Sequence, residues 1–137
     1  MIAVDSSVLL DIISDDKNFA ETSSIALAAA AEMDDVIICD AVMAEICAYT
    51  KPYENALKAM GAFGIRYVPV SEQAAIRAGI MYRQFRQRGG GRDRLIADFL
   101  IGAHAMLQAG TLITRDAGFH RNYFSGLKVV NPAAPNK

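Results

Sequence analysis

Ile2-Ala3-Val4 is a short, continuous apolar run that closes at Asp5, and residues 6–13 then follow a helical pattern. The same alternation of an apolar run with a longer helical stretch continues along the chain. Strands that alternate with helices are typical of β–α–β units, in which helices cover both faces of a parallel sheet. Further strands are predicted at residues 36–39, 66–70, 111–114 and 127–130, and further helices at 18–33, 40–50, 53–62, 71–88 and 92–108. The sequence therefore predicts an α/β fold with a central parallel sheet of about five strands flanked by helices.

Length and composition are those of one globular domain. The 137 residues are 53% hydrophobic and 21% charged, which excludes a disordered or fibrous chain. The longest clean apolar run, residues 25–31, has seven residues, whereas a membrane span needs about 18. Two cysteines and an N-terminus without a basic segment predict a cytoplasmic protein with no signal peptide. We expect a single domain over residues 1–137, in which residues 131–137 form a fraying tail.

The charges are distributed unevenly along the chain. Residues 1–64 carry eleven acidic and three basic side chains, a net charge of −8, whereas residues 65–137 carry four acidic and eleven basic ones, a net charge of +7. These values sum to the overall charge of −1. Such an asymmetry indicates a face for an anionic partner, even though the total charge is close to zero.

Four acidic side chains are predicted at the carboxyl edge of the sheet, where open α/β proteins bind their ligands. Asp5 directly follows the first strand, and Asp116 comes just after Thr114 at the end of the fourth. Glu45 and Asp98 fall in the second turns of helices that meet the same edge. Each acid also has a structural interpretation: a helix N-cap for Asp5, a turn former for Asp116, and solvated helix positions for the other two. Their shared location favours a functional site.

Electrostatic repulsion within such a cluster points to a metal ion. Carboxylates about 5 Å apart repel by about 3 kcal/mol per pair at an effective dielectric near 20. Several such pairs are comparable to the whole stability of a small domain, about 5–15 kcal/mol. The cluster therefore binds divalent cations or becomes protonated. Ligands that are all oxygen favour Mg²⁺ or Mn²⁺, and zinc is disfavoured because the histidines and cysteines show no ligand spacing.

In their order and spacing, these motifs resemble the PIN domain, specifically the VapC-type ribonuclease toxins of bacterial toxin–antitoxin pairs. The segment from Ile2 to Leu9 is similar to the opening strand and Asp-Thr/Ser signature of the family, and Ala44-Glu45-Ile46 is like its helical glutamate motif. The segments 98–105, 112–119 and 126–132 resemble its third acidic motif and its closing segment. The resemblance covers nearly the whole chain. Ser6 stands for the commoner Thr, and Gly102 stands where the family often has Ala.

The resemblance implies a three-layer PIN-like fold and a metal-dependent endoribonuclease that uses Mg²⁺ or Mn²⁺. It also implies a homodimer that cuts RNA and is neutralised by a cognate antitoxin protein. The catalytic residues implied are Asp5, Glu45, Asp98 and Asp116. Of these, Asp5, Asp98 and Asp116 are the implied metal ligands, Asp5 and Asp98 being the first choices. Ser6 and Thr114 are implied supports that hold metal-bound waters or a phosphate oxygen.

The arginines between residues 77 and 94 have two interpretations that the sequence leaves open. Part of this set can be a solvated surface, because its members cannot all lie on one helical face. Alternatively, those nearest the Gly89–Gly91 hinge flank the acidic pocket and contact RNA phosphates or acidic side chains of an antitoxin. The candidates for this contact are Arg88, Arg92 and Arg94.

Two other classes of function fit the sequence less well than a nuclease does. A non-catalytic PIN-fold RNA- or protein-interaction module would have the same fold, but it would be free to lose the four acids, which are intact. A receiver-like signalling domain needs a phospho-acceptor Asp at the end of the third strand, where residues 69–72 read Pro-Val-Ser-Glu.

His104 lies in an apolar helix and is predicted to be a hydrogen-bonded structural histidine.

Overall fold

The structure is a computed structural model that describes residues 1–133. Of the tail that is expected to fray, residues 134–137 lie outside the described residues. Within that range, five strands form one sheet in the order β3-β2-β1-β4-β5, and every neighbouring pair is parallel. This confirms the predicted α/β fold. The strands are β1 (Ile2–Val4), β2 (Val36–Ile38), β3 (Arg66–Tyr67), β4 (Thr111–Ile113) and β5 (Lys128–Val130).

Seven helices of the described chain pack around this sheet. They are α1 (Ser6–Ile13), α2 (Ala20–Met33), α3 (Asp40–Ala48), α4 (Glu54–Phe63), α5 (Glu72–Gln87), α6 (Ile96–Gln108) and α7 (Ala117–Tyr123). α1 packs against α2, α3 and α4, whereas α5 packs on α6, and α6 contacts β1 and β4. No helix in residues 1–133 is long and apolar enough to cross a membrane.

Strand register aligns the ends of the two central strands. Val4, the last residue of β1, pairs with Ile113, the last residue of β4. The backbone N–H of Asp5 then donates to the carbonyl of Ile113 at 2.9 Å. The residues that follow these two strands, Asp5 and Thr114, are therefore placed side by side at the carboxyl edge of the sheet.

Several element boundaries differ from the sequence-based prediction. α6 begins at Ile96, four residues later than residue 92, and Leu95 before it is 63% exposed. The third strand ends at Tyr67, because Pro69 beyond it has no N–H to pair. Cys39 holds the N-cap position of α3, and a carboxylate oxygen of Asp40 accepts a hydrogen bond from Val70 N at 3.1 Å.

An aromatic cluster holds the short helix α7 against α5 and α6. The ring of Phe99 lies 5.3 Å from that of Phe119 and 6.5 Å from that of Phe124, centroid to centroid. Gly102 of α6 allows Phe124 to approach, since a Cβ at this position would lie 2.1 Å from a carbon of the Phe124 ring. The packing of these rings fixes the helix that begins directly after Asp116.

Candidate active site

Asp5 is a buried carboxylate held by hydroxyl groups. It is 7% exposed and occupies the N-cap position of α1, yet its side chain makes no capping hydrogen bond. Thr114 Oγ1 donates to Asp5 Oδ2 at 2.6 Å, and Ser7 Oγ donates to the same oxygen at 3.3 Å. The structural interpretation of Asp5 as a capping residue therefore does not hold, and its carboxylate is left for a site at the sheet edge.

Ser6 lies between two carboxylates of the site. Its hydroxyl oxygen is 3.3 Å from Asp5 Oδ1 and 3.1 Å from Glu45 Oε1. Because the hydroxyl has a single proton, it donates a hydrogen bond to only one of these carboxylates at a time. Burial raises the pKa of Glu45, the hydrogen bond from Ser6 opposes this rise, and the negative charges of Asp5 and Asp98 add to it. Asp5 and Asp98 thus both act electrostatically on Glu45.

Asp98 lies in the first turn of α6, not in the second as the sequence suggested. Its Oδ2 accepts a hydrogen bond from the backbone N–H of Leu95 at 2.9 Å, which closes the start of the helix. Carboxylates are favoured at this end of a helix because the helix dipole is positive there. Capping engages one oxygen of Asp98 while its charge still acts on Glu45.

Asp116, the fourth predicted acid, is paired with Arg94. Nη2 of Arg94 lies 3.0 Å from Oδ1 of Asp116, and Nη1 donates to Oδ2, so the contact is bidentate. The guanidinium carbon also lies 4.1 Å above the ring of Phe119. The hydrogen bonds to Asp116 raise the pKa of Arg94 above its ordinary value. Arg94 therefore belongs to the acidic pocket itself.

Thr114 connects the two halves of the pocket. Its hydroxyl donates to Asp5 and accepts a hydrogen bond from the backbone N–H of Asp116 at 2.9 Å. The side chain is fully buried. The hydroxyl of Thr114 thus positions both the carboxylate of Asp5 after β1 and the backbone of Asp116 after β4.

A second arginine–aspartate pair lies next to the site and was missed by the sequence reasoning. Nε and Nη2 of Arg115 lie 2.7 Å and 2.9 Å from the two carboxylate oxygens of Asp11. Ser23 Oγ donates to Asp11 at 3.1 Å, and the guanidinium of Arg115 stacks on Phe19 at 4.1 Å. A sequence signal for this pair was present, since Asp11 is the one charged residue of helix α1 and stands within an apolar run.

The two histidines have different surroundings. His104 Nε2 lies 2.8 Å from the carbonyl oxygen of Val68, which confirms the prediction of a structural histidine. His120 is buried beside the pocket, and its Nδ1 has no hydrogen-bond partner in residues 1–133. Burial lowers the pKa of His120, and the charges of Asp5, Asp116 and Asp98 oppose that fall. No feature of the sequence pattern places His120 near the acids.

The remaining two arginines of the predicted contact set lie outside the pocket. Arg88 follows the last residue of α5, and Arg92 lies in the loop between α5 and α6. Both side chains are exposed, and neither forms an ion pair within the described residues. The structure thus separates Arg94, which is engaged by Asp116, from Arg88 and Arg92, which are free on the surface of the described chain.

The donor set fits a small, hard cation. Asp5 is buried, and its side-chain partners within residues 1–133 are neutral hydroxyl groups, so its negative charge has no cationic partner there. Over the same range, no three His, Cys, Asp or Glu side chains are close enough to enclose a metal ion. Mg²⁺ does not require such an enclosure, because it usually keeps several waters and takes one or two carboxylates.

Comparison with known families gives the class of the protein. The PIN domain family model matches residues 2–125, so the chain belongs to the PIN domain family. The family expected from the sequence motifs is thereby confirmed. A search of curated protein sequences finds no significant match.

Solved structures show the same fold over nearly the whole chain. The chain resembles one in the VapBC2 complex of Rickettsia felis bound to a promoter DNA fragment, with a TM-score of 0.73, 20% identity, and coverage of 96% of this chain and 98% of that one. For VapBC-1 of nontypeable Haemophilus influenzae, the TM-score is 0.70 at 15% identity, covering 98% and 100%. For FitAcB of Neisseria gonorrhoeae, it is 0.65 at 23% identity, covering 96% and 98%.

Proposed function

We propose that the protein is a metal-dependent endoribonuclease that acts as the toxin of a bacterial toxin–antitoxin pair in the cytoplasm. The observation that carries this proposal is the buried carboxylate of Asp5, which has no cationic partner in residues 1–133 and lies beside Glu45 and Asp98 at the carboxyl edge of the sheet. A divalent cation is a partner that would compensate the negative charge of such a buried group.

The carboxylates of Asp5 and Asp98 are the first candidates to hold the ion, with Asp116 as a third. When bound there, Mg²⁺ or Mn²⁺ supplies a water of lowered pKa and a positive charge beside the phosphate. Ser6 and Thr114 keep the carboxylates oriented and offer hydroxyl groups to bound waters or to a phosphate oxygen. Hydrolysis of the phosphodiester bond then needs no nucleophilic side chain.

Glu45 is suited to accept a proton in this reaction. Its pKa is raised by burial, which brings the carboxylate closer to the range in which it exchanges protons near neutral pH. Ser6, which lies 3.1 Å from Oε1 of Glu45, holds that carboxylate toward Asp5. We therefore assign Glu45 the role of proton acceptor beside the ion.

The test uses purified protein, freed of any bound partner, and total cellular RNA. Cleavage is expected with Mg²⁺ and not with EDTA, and mapping of the new ends gives the cut sites. Asp5→Asn and Asp98→Asn are expected to abolish cleavage. Asp35→Asn is the matched control, because Asp35 is an exposed acid that precedes β2 at the opposite edge of the sheet.

The absence of Mg²⁺-dependent cleavage by the wild-type protein would overturn the proposal. If the protein then bound RNA or a partner protein without cutting RNA, it would be the alternative, a non-catalytic PIN-fold interaction module. If Asp35→Asn were as damaging as Asp5→Asn, the loss would reflect a general effect of removing charge and not the loss of a metal ligand.

We further propose a cognate antitoxin and a homodimer. The support for the antitoxin is the likeness to chains solved within the VapBC2 and FitAcB complexes. A homodimer is expected to use the apolar side chains that the described chain leaves exposed, among them Ile25 and Met33 on α2 at 63% and 79%. The molar mass measured by light scattering tests the dimer, and co-purification with the product of the adjacent gene tests the antitoxin.

The exposed Arg88 and Arg92 are proposed contacts for RNA phosphates or for acidic residues of the antitoxin. Replacing both by Gln is expected to weaken RNA binding and to flatten its salt dependence, because binding through fewer phosphate contacts releases fewer counterions. An unchanged salt slope would exclude the RNA contact, and antitoxin binding by the same variant would then be measured.

A further inference from the structure

Arg94 places a positive charge inside the pocket in which a metal ion is expected. Its guanidinium spans both carboxylate oxygens of Asp116 and stacks on Phe119. A bidentate arginine contact directs two N–H donors at the same oxygens that a cation would use. A divalent ion bound to Asp116 would also lie close to the guanidinium, and two like charges at that distance repel. The ion and Arg94 therefore compete for one carboxylate.

On the basis of the proposed function, we propose that Arg94 is a resident cation that occupies Asp116 in the metal-free pocket. A divalent ion that reaches Asp116 displaces the guanidinium, and the displaced guanidinium becomes available to an RNA phosphate. Metal loading and substrate binding are thereby coupled through one side chain.

The surroundings of Arg94 suit a contact that opens. The side chains of Arg94 and Asp116 are 24% and 39% exposed, so solvent screens the pair. By contrast, Asp11 in the neighbouring pair is 5% exposed, and breaking that pair would leave a buried charge unpaired. Arg94 also lies outside regular structure, between Gly89–Gly91 and the start of α6. The Arg94–Asp116 pair can therefore break at a low cost in free energy, whereas breaking the Arg115–Asp11 pair would destabilise the fold.

Phe119 keeps the displaced group near the pocket. The ring lies on α7, three residues after Asp116, and its face contacts the guanidinium 4.1 Å from the centroid. A cation–π contact remains attractive after the carboxylate is lost, since it depends on the ring and not on Asp116. The displaced guanidinium therefore has a support from which to meet a phosphate.

The experiment measures two affinities that are expected to change in opposite directions. Calorimetric titration with Mn²⁺ is expected to show about tenfold tighter binding for Arg94→Gln than for wild type, which corresponds to about 1.4 kcal/mol. RNA binding by the same variant is expected to be weaker. Arg66→Gln is the control, because it removes the same charge from an exposed pair at the amino edge of the sheet and is expected to change neither affinity.

A double-mutant cycle separates competition from a general charge effect. In the Asp116→Asn background, the gain in Mn²⁺ affinity from Arg94→Gln is expected to vanish, because the carboxylate for which the two cations compete is gone. An equal gain in both backgrounds would overturn the inference, since the arginine would then act only through space. Equal Mn²⁺ affinity for wild type and Arg94→Gln would overturn it as well.

Failure of the proposed function has a different signature. If neither wild type nor Arg94→Gln bound Mn²⁺, the metal site itself would be wrong, and the inference would fall with it. If wild type bound Mn²⁺ and cut RNA but Arg94→Gln behaved like wild type, only the inference would fail. Should Arg94→Gln not fold, Arg94→Lys keeps the charge, loses the bidentate contact, and is expected to bind Mn²⁺ with intermediate affinity.

Discussion

The guanidinium of Arg115 makes two hydrogen bonds to the carboxylate of Asp11, a residue 104 positions earlier in the chain. The backbone N–H of Arg115 also donates to Ser7 Oγ at 3.3 Å, and Ser7 in turn donates to Asp5. Arg115 stands between Thr114 and Asp116. Its pairing with α1 therefore fixes the backbone from which both of those residues enter the pocket.

We predict that Arg115→Gln lowers the free energy of unfolding by about 2–3 kcal/mol, because it leaves the buried carboxylate of Asp11 without its cation. The exposed part of Arg115 keeps the loss below that of a fully buried pair. Chemical denaturation measures it. Arg66→Gln removes an arginine from an exposed pair and is expected to cost about 0.5 kcal/mol or less. Equal losses for both variants would mean that the Arg115–Asp11 pair is merely a surface contact.

Asp5→Asn is expected to leave the metal-free protein at least as stable as wild type. The substitution removes a buried negative charge near Glu45, while the amide oxygen can still accept the hydrogen bond from Thr114. In thermal melts, wild type is expected to gain stability on addition of Mg²⁺, and the variant is not. A markedly lower melting temperature of the variant in EDTA would show instead that the Asp5 carboxylate has a structural role.

Glu45→Gln is expected to change how stability depends on pH. Since the folded-state pKa of Glu45 is raised above the ordinary 4.5, the folded protein retains a proton there that the unfolded chain has lost. Wild-type stability from this group is present below the ordinary pKa and is lost as the pH rises through the raised value. The variant is therefore expected to be the more stable protein at neutral pH and to lose this advantage below pH 4.5. Denaturant midpoints measured across this range check the sign, and an advantage that persisted at low pH would contradict the assignment.

Gly102→Ala is expected to destabilise the fold by about 1–3 kcal/mol, because the new methyl group would overlap the ring of Phe124. Combining it with Phe124→Leu is expected to recover part of this loss, since the smaller side chain vacates the space. Phe124→Leu alone should be destabilising, so the pair is non-additive. Purely additive losses in denaturation curves would show that the two positions do not compete for the same volume.

The sequence was sufficient to predict the parallel sheet and the edge at which the acids lie. Buried strands appear as continuous apolar runs, and an acid that directly follows such a run, as Asp5 does, can only lie at the carboxyl edge. The prediction of the family depended on the same acids. These features are local in the sequence, and so they could be predicted without tertiary information.

Features that depend on tertiary contacts were not predicted. Helix α7 has seven residues with a glycine at the second position, and packing of Phe119 against Phe99 holds it in place. The pairing of Arg94 with Asp116 could not be predicted either, because a long side chain in an irregular segment can reach several acids. The start of α6 was placed too early because residues 92–95 fit a helical pattern, whereas Asp98 caps the helix at Leu95.

The position of β1 between β2 and β4 bears on how the protein is made. A growing chain carries Asp5 and Glu45 early, but β4, which must pair with β1 to bring Thr114 to Asp5, begins only at residue 111. Contacts between residues so far apart in sequence form late, because the intervening chain must first be ordered. A nascent chain that ends before residue 111 lacks Thr114 and Asp116 and cannot close the pocket. The complete pocket, and any activity that it carries, therefore forms only after most of the chain has been translated.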